Sequence, residues 1–179
     1  VLNTDFSNYD GIGSIHGGND REGAESTGSA LDVNFAANWT HGGSFYGGGR
    51  KLTNGDTSLS VEGSGSIGGG ARFFGGGHQR QVSGKSSVIF DANVADNNIW
   101  VVGGTFSSEV QMPGYGSSSV MIKKTSSGVI NTVLGGSYIN DVDSGDESEP
   151  SYIDAKSASV TLENGLVRKI YGGGWIDGS

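Results

Sequence analysis

Three histidines, His16, His41 and His78, are the only side chains here that shuttle protons near neutral pH. No two of them stand at the spacing of a metal-ligand pair, so ordinary surface or turn roles are expected for them. A second candidate is ionic. NDVDSGDESEP, residues 140–150, places Asp141, Asp143, Asp146, Glu147 and Glu149 in one short stretch, with Gly145 to permit a sharp turn. Closely spaced hard oxygens of this kind suit a structural calcium ion. The spacing departs from an EF-hand, because no glycine stands sixth from Asp141 and no helix is expected on either side. The competing expectation is a solvated acidic insertion in the longest repeat. DFSNYDG, at 5–11, is a weaker version of the same pattern.

Other motifs fail on their own mechanics. SGKSS at 83–87 contains a GKS triplet, but a phosphate loop needs glycine where Gln79 stands and a helix afterwards. GIGSIHGG at 11–18 does not fit the dinucleotide fingerprint, and no GxSxG elbow occurs. Glycoside cleavage requires opposed carboxylates, which spacing along the chain does not pair. The expectation is therefore a protein that is not an enzyme and that needs no cofactor beyond a structural calcium ion.

The third candidate is apolar. SIHGG, SFYGGG, RFFGGG, WVVGG, TVLGG and KIYGGG set bulky residues directly before glycines, and their first glycines are Gly17, Gly47, Gly75, Gly103, Gly135 and Gly172. The intervals of about 28 to 37 residues are those of a repeat protein. In register, the residue two before the first glycine is always apolar: Ile15, Phe45, Phe73, Val101, Val133 and Ile170. That column is expected to face a core. The residue one before it (His16, Tyr46, Phe74, Val102, Leu134, Tyr171) and the residue three after it (Asp20, Arg50, His78, Phe106, Tyr138, Trp175) then point outward.

Between these columns runs a line of glycines that includes Gly48, Gly76 and Gly173. Two readings stand open. In one, the glycines are a flat floor walled by Tyr46, Phe74, Phe106, Tyr138, Tyr171 and Trp175, on which sugar rings stack or a second solenoid packs. In the other, they form the tight corner of each coil and the aromatics before them join the core.

The elements that position these columns are strands. SALDVNF, TSLSVEG, SSVIFDA, SSVMIKK and SASVTLE alternate strictly, with Leu31/Val33, Leu59/Val61, Val88/Phe90, Val120/Ile122 and Val160/Leu162 on one face. One strand, a polar link, a second strand entering the glycines and a loop make a unit that cannot bury its own apolar face, so units must stack. The pattern predicts one all-β domain over 1–179, a right-handed parallel β-helix (β-solenoid) of about six coils rising about 4.8 Å each. The repeats run approximately 1–28, 29–56, 57–84, 85–116, 117–154 and 155–179. A sandwich does not require GGG at fixed phase, and a propeller blade needs a longer repeat.

Composition agrees with order. The chain holds 34 glycines, two prolines and no cysteine, yet its Trp, Tyr, Phe, Val and Ile content exceeds that of a disordered tract. A net charge of −8 with 11 basic residues argues against nucleic acid as a partner, and no apolar run suits membrane insertion. Val1 in place of Met suggests a processed or trimmed product.

The repeat S-x-S-V-T-L…V-x-x-I-Y-G-G-G, cleanest at 157–174, resembles the glycine-rich arrays of bacterial cell-surface and autotransporter-type adhesins. That resemblance implies a β-solenoid, an extracellular or cell-surface location and an adhesive or stalk-like role without catalytic residues. Self-association, end to end into a filament or side to side, or membership of a longer array is then expected, with the coil after Gly172 supplied by a neighbour or by sequence trimmed away. The alternatives are a glycan-binding module using the aromatic and glycine stripe and, with regular Thr ladders missing, an ice-binding face.

Overall fold

The computed structural model describes residues 2–3, 13–19, 27–50, 55–79, 82–107, 111–124, 128–141 and 152–178. Alternation along the repeats becomes strand, and every described strand pairs in parallel with a strand of a neighbouring repeat. Sheet I has six strands: β1 (Leu2–Asn3), β3 (Ser29–Asn34), β5 (Thr57–Ile67), β7 (Ser86–Val94), β10 (Gln111–Lys124) and β13 (Tyr152–Leu162). Sheet II is also six-stranded, with β2 (Ser14–His16), β4 (Ser44–Tyr46), β6 (Arg72–Phe74), β8 (Trp100–Val102), β11 (Val129–Leu134) and β14 (Leu166–Tyr171). A three-stranded sheet III holds β9 (Phe106–Ser107), β12 (Tyr138–Asp141) and β15 (Trp175–Gly178). Each passage of chain thus lays one strand on sheet I and one on sheet II, which is a parallel β-helix with no helix among the described residues.

Register follows chemistry. On sheet I, Leu31, Leu59, Val88, Val120 and Val160 stack in one column and Val33, Val61, Phe90, Ile122 and Leu162 in the next. Facing them from sheet II is the column Ile15, Phe45, Phe73, Val101, Val133 and Ile170. Between the sheets these columns form one continuous core up to Ile122 and Val133, with Ile15 and Val160 partly buried against it, closed at one corner by Phe35 and Trp39. Phe45 and Phe73 stack at 5.1 Å, and Phe35 meets both edge-on at 5.6 and 6.2 Å. Slipping any strand by one residue would turn its whole apolar set to the outside, so the core holds the register.

Several sheet I strands run further than their alternation indicates: β7 to Val94, β10 from Gln111, β13 from Tyr152, and β5 most tellingly. TSLSVEG predicts a strand over 57–63, but β5 continues to Ile67, with a shift in register between Gly63 and Ser66. Gly63 takes φ +134°, and a Cβ there would collide with the Phe35 backbone. That bulge returns Ile67 to the core, fully buried against Trp39.

Candidate functional site

The outward side of sheet II builds the site. His16, Tyr46, Phe74, Val102, Leu134 and Tyr171 stand in one column, in the register that their spacing predicts. The chain then bends at each glycine pair. Hydrogen bonding from coil to coil continues through the bend: the Gly47 N–H donates to the Phe74 carbonyl at 2.9 Å and the Gly48 N–H to the Gly76 carbonyl at 2.9 Å, with the same pair repeated one coil on from Gly75 and Gly76. The glycines are therefore a corner.

Beyond the corner, sheet III and its neighbours carry Arg50, His78, Phe106, Tyr138 and Trp175, and this second column closes onto the first. Tyr46 and His78 stack at 5.1 Å, Phe74 and Phe106 lie 5.7 Å apart, and Tyr171 meets Trp175 edge-on at 4.9 Å. Within the columns, His16 stacks on Tyr46 at 4.7 Å, Tyr46 on Phe74 at 4.9 Å, and Phe106 approaches Tyr138 at 5.7 Å. The result is a second core made of Tyr46, Phe74, Val102, Leu134 and Tyr138, with Trp100, Phe106 and Trp175 half-buried at its border.

The predicted walls thus face the predicted side, but they do not stand apart over an open floor. Tyr46, Phe74 and Tyr138 are buried, as are Gly48 and Gly76, because the bend folds one wall onto the other. The end of the stripe is its most open part: Tyr171 is 39% exposed and Gly173 is exposed, while Trp175, like Phe106, is half-buried. Desolvation has an electrical consequence at Tyr46. Burial pushes its phenol up to about 12, against smaller opposing effects of a hydrogen bond with Ser44 and the charge of Arg72.

Other residues were not anticipated. His16 and His78, two repeats apart in sequence, come within 5.8 Å, ring over ring, with Tyr46 beside both. Their columns alone did not indicate this, since the columns meet only once the bend is known. Trp100 was missed for a different reason. It stands three before Gly103, so alternation already sends it outward, in register with Arg72 and Thr132. Its ring lies 5.2 Å from Tyr138 and 6.0 Å from Trp175. The Arg72 guanidinium sits 5.9 Å from the Trp100 ring, and the Lys169 ammonium 5.7 Å from the Trp175 ring.

Asp141 ends β12, while Asp143, Asp146, Glu147 and Glu149 lie outside the described residues. Among the described residues no three His, Asp or Glu side chains gather as metal ligands. His41 is exposed and meets Trp39 edge-on at 5.5 Å. No helix among the described residues is long and apolar enough to cross a membrane. What the aromatic corner offers chemically is ring faces and cations, which stack and hold; its described columns contribute no carboxylate. No family model, no curated protein and no solved structure matches this chain.

Proposed function

We propose that the chain is a non-catalytic structural or adhesive solenoid of an extracellular or cell-surface assembly, in which a further coil, from a second copy or from a longer array of the same repeat, covers its last described rung. The observation that carries this reading is the contrast between Gly172 and its equivalents. A Cβ on Gly17, Gly47, Gly75 or Gly103 would lie 2.5 Å from the carbonyl oxygen of the next glycine in the column, whereas one on Gly172 or Gly173 meets nothing within 4 Å. The last described rung keeps a sequence suited to close backbone packing, and no described rung lies against it. Its apolar residues tell the same story: Leu162, Ile170 and Tyr171 are 43, 49 and 39% exposed, while their counterparts Ile122, Val133 and Leu134 are fully buried.

The two ends are complementary. Register puts Leu2 in the column of Leu162, and Ile15 in the column of Ile170. Both N–H groups of each glycine pair from Gly47/Gly48 to Gly135/Gly136, and that of Gly17, donate toward the later coil, so the last described rung offers donors where the first offers the carbonyls of His16 and Gly18. A surface address is supported by the likeness of the repeat to bacterial surface arrays. Sedimentation velocity and negative-stain microscopy over a concentration series test the reading. Rods that lengthen with concentration are expected, and Ile170→Asp should return them to monomers. A monodisperse monomer at every concentration, or rods indifferent to Ile170→Asp, would refute stacking between copies.

A further inference from the structure

On the outer face of sheet II, the column three before each first glycine runs Ser14, Ser44, Arg72, Trp100, Thr132 and Lys169. Thr132 is buried, but Trp100 keeps part of its ring in solvent, as does Trp175 beside it. The two indoles are tilted by 41°, which leaves a shallow angle between their faces. Arg72 and Lys169 are exposed, and each lays its charge near one of these rings. They stand three rungs apart in the column, about 14 Å at the spacing of parallel strands.

We infer that Trp100, Trp175, Arg72 and Lys169 form a binding site for an acidic oligosaccharide, a short chain of carboxylated sugars lying along the sheet II face. An indole face supplies flat apolar area for the C–H side of a sugar ring. A guanidinium fork matches a carboxylate, and an ammonium at the other end takes a second one. The surface is shallow, so it suits an extended ligand and not a compact one that must be enclosed. The chain's net charge of −8 repels anions at long range, so recognition rests on this local cation pair. Lys169 and Trp175 stand on the last described rung, but the site uses the outer face of sheet II and not the end of the stack, so either proposal stands if the other fails.

Trigalacturonate and uncharged maltotriose, titrated against the whole chain by tryptophan fluorescence and calorimetry, are the probes. Saturable quenching by trigalacturonate is expected, with maltotriose weaker by about tenfold or more, the scale of one charge-assisted contact. Trp100→Ala should weaken trigalacturonate by about tenfold or more. Should Trp100→Ala fail to fold, the double variant R72Q/K169Q decides, since both side chains are exposed and the indoles remain. It should bind the two sugars alike. No saturable titration with trigalacturonate, unchanged affinity in a folded Trp100→Ala, or a charge preference that survives R72Q/K169Q would each overturn the inference.

Discussion

Glycine is needed in the corner column for space and not for unusual backbone angles. Gly75 does not take a positive φ, yet a Cβ on it would sit 2.5 Å from the Gly103 oxygen and 2.8 Å from the Ser87 backbone. Backbone atoms held in two sheets cannot step aside, so Gly75→Ala should destabilise by about 1–3 kcal/mol, as overpacking does. Gly172→Ala, in the same sequence context, should change stability by less than about 0.5 kcal/mol in dilute protein. Urea unfolding midpoints of the two variants check this, and equal losses would show that the close approach is not what the column requires.

Tyr46 gives a second test at the same scale. Its phenol titrates near 10 when unfolded and about 12 when folded, so the native state holds the proton more tightly. That contribution is fully present below pH 10 and is lost as pH rises through 12, a loss of about 3 kcal/mol. Tyr46→Phe keeps the ring stack and should flatten the alkaline fall in stability; a fall of the same size in the variant would place its cause elsewhere.

Strands were legible because their physics is local and repeated. Leu59/Val61 and Val88/Phe90 alternate within single strands, and stacking sets one pair over the other in the register that their spacing implies. Phe45 and Phe73 were likewise assigned to the core from the glycine phase alone, and both are fully buried. The corner was harder to read. Whether Tyr46 and His78 stand on two sides of a floor or touch across a bend depends on the angle between β4 and the segment after Gly49, and residue types at those positions suit both. Trp100 stands at a third outward position, two residues before the outward column next to the glycines, where the other repeats carry Ser, Arg, Thr or Lys and no shared residue type marks a column. The bulge in β5 left a signal, Gly63 and Gly65 inside an alternating run, but its outcome depended on Phe35, which is 28 residues earlier.

A stacked molecule distributes stability unevenly, because each rung draws on its neighbours. Gly75 and Gly103 donate to Val102 and Leu134 at 2.9 and 2.8 Å, inside sheets paired on both sides. Among the described strands, β13, β14 and β15 are paired on one side only, and core-column residues they carry, such as Leu162 and Ile170, reach solvent. Opening the last rung therefore exposes less new apolar surface than opening a central one, and it breaks one interface where a central rung breaks two. Amide hydrogen exchange should report this directly. In dilute protein the Gly75 and Gly103 amides should exchange only through global unfolding, while the Gly172 and Gly173 amides exchange fastest among the six corners. Raising the concentration should slow Gly172 and Gly173 and leave Gly75 unchanged, because a docked copy turns the last rung into a central one. Protection at Gly172 equal to that at Gly75 in dilute protein would show that the last rung is not open. Protection that ignores concentration would show that no second copy closes it.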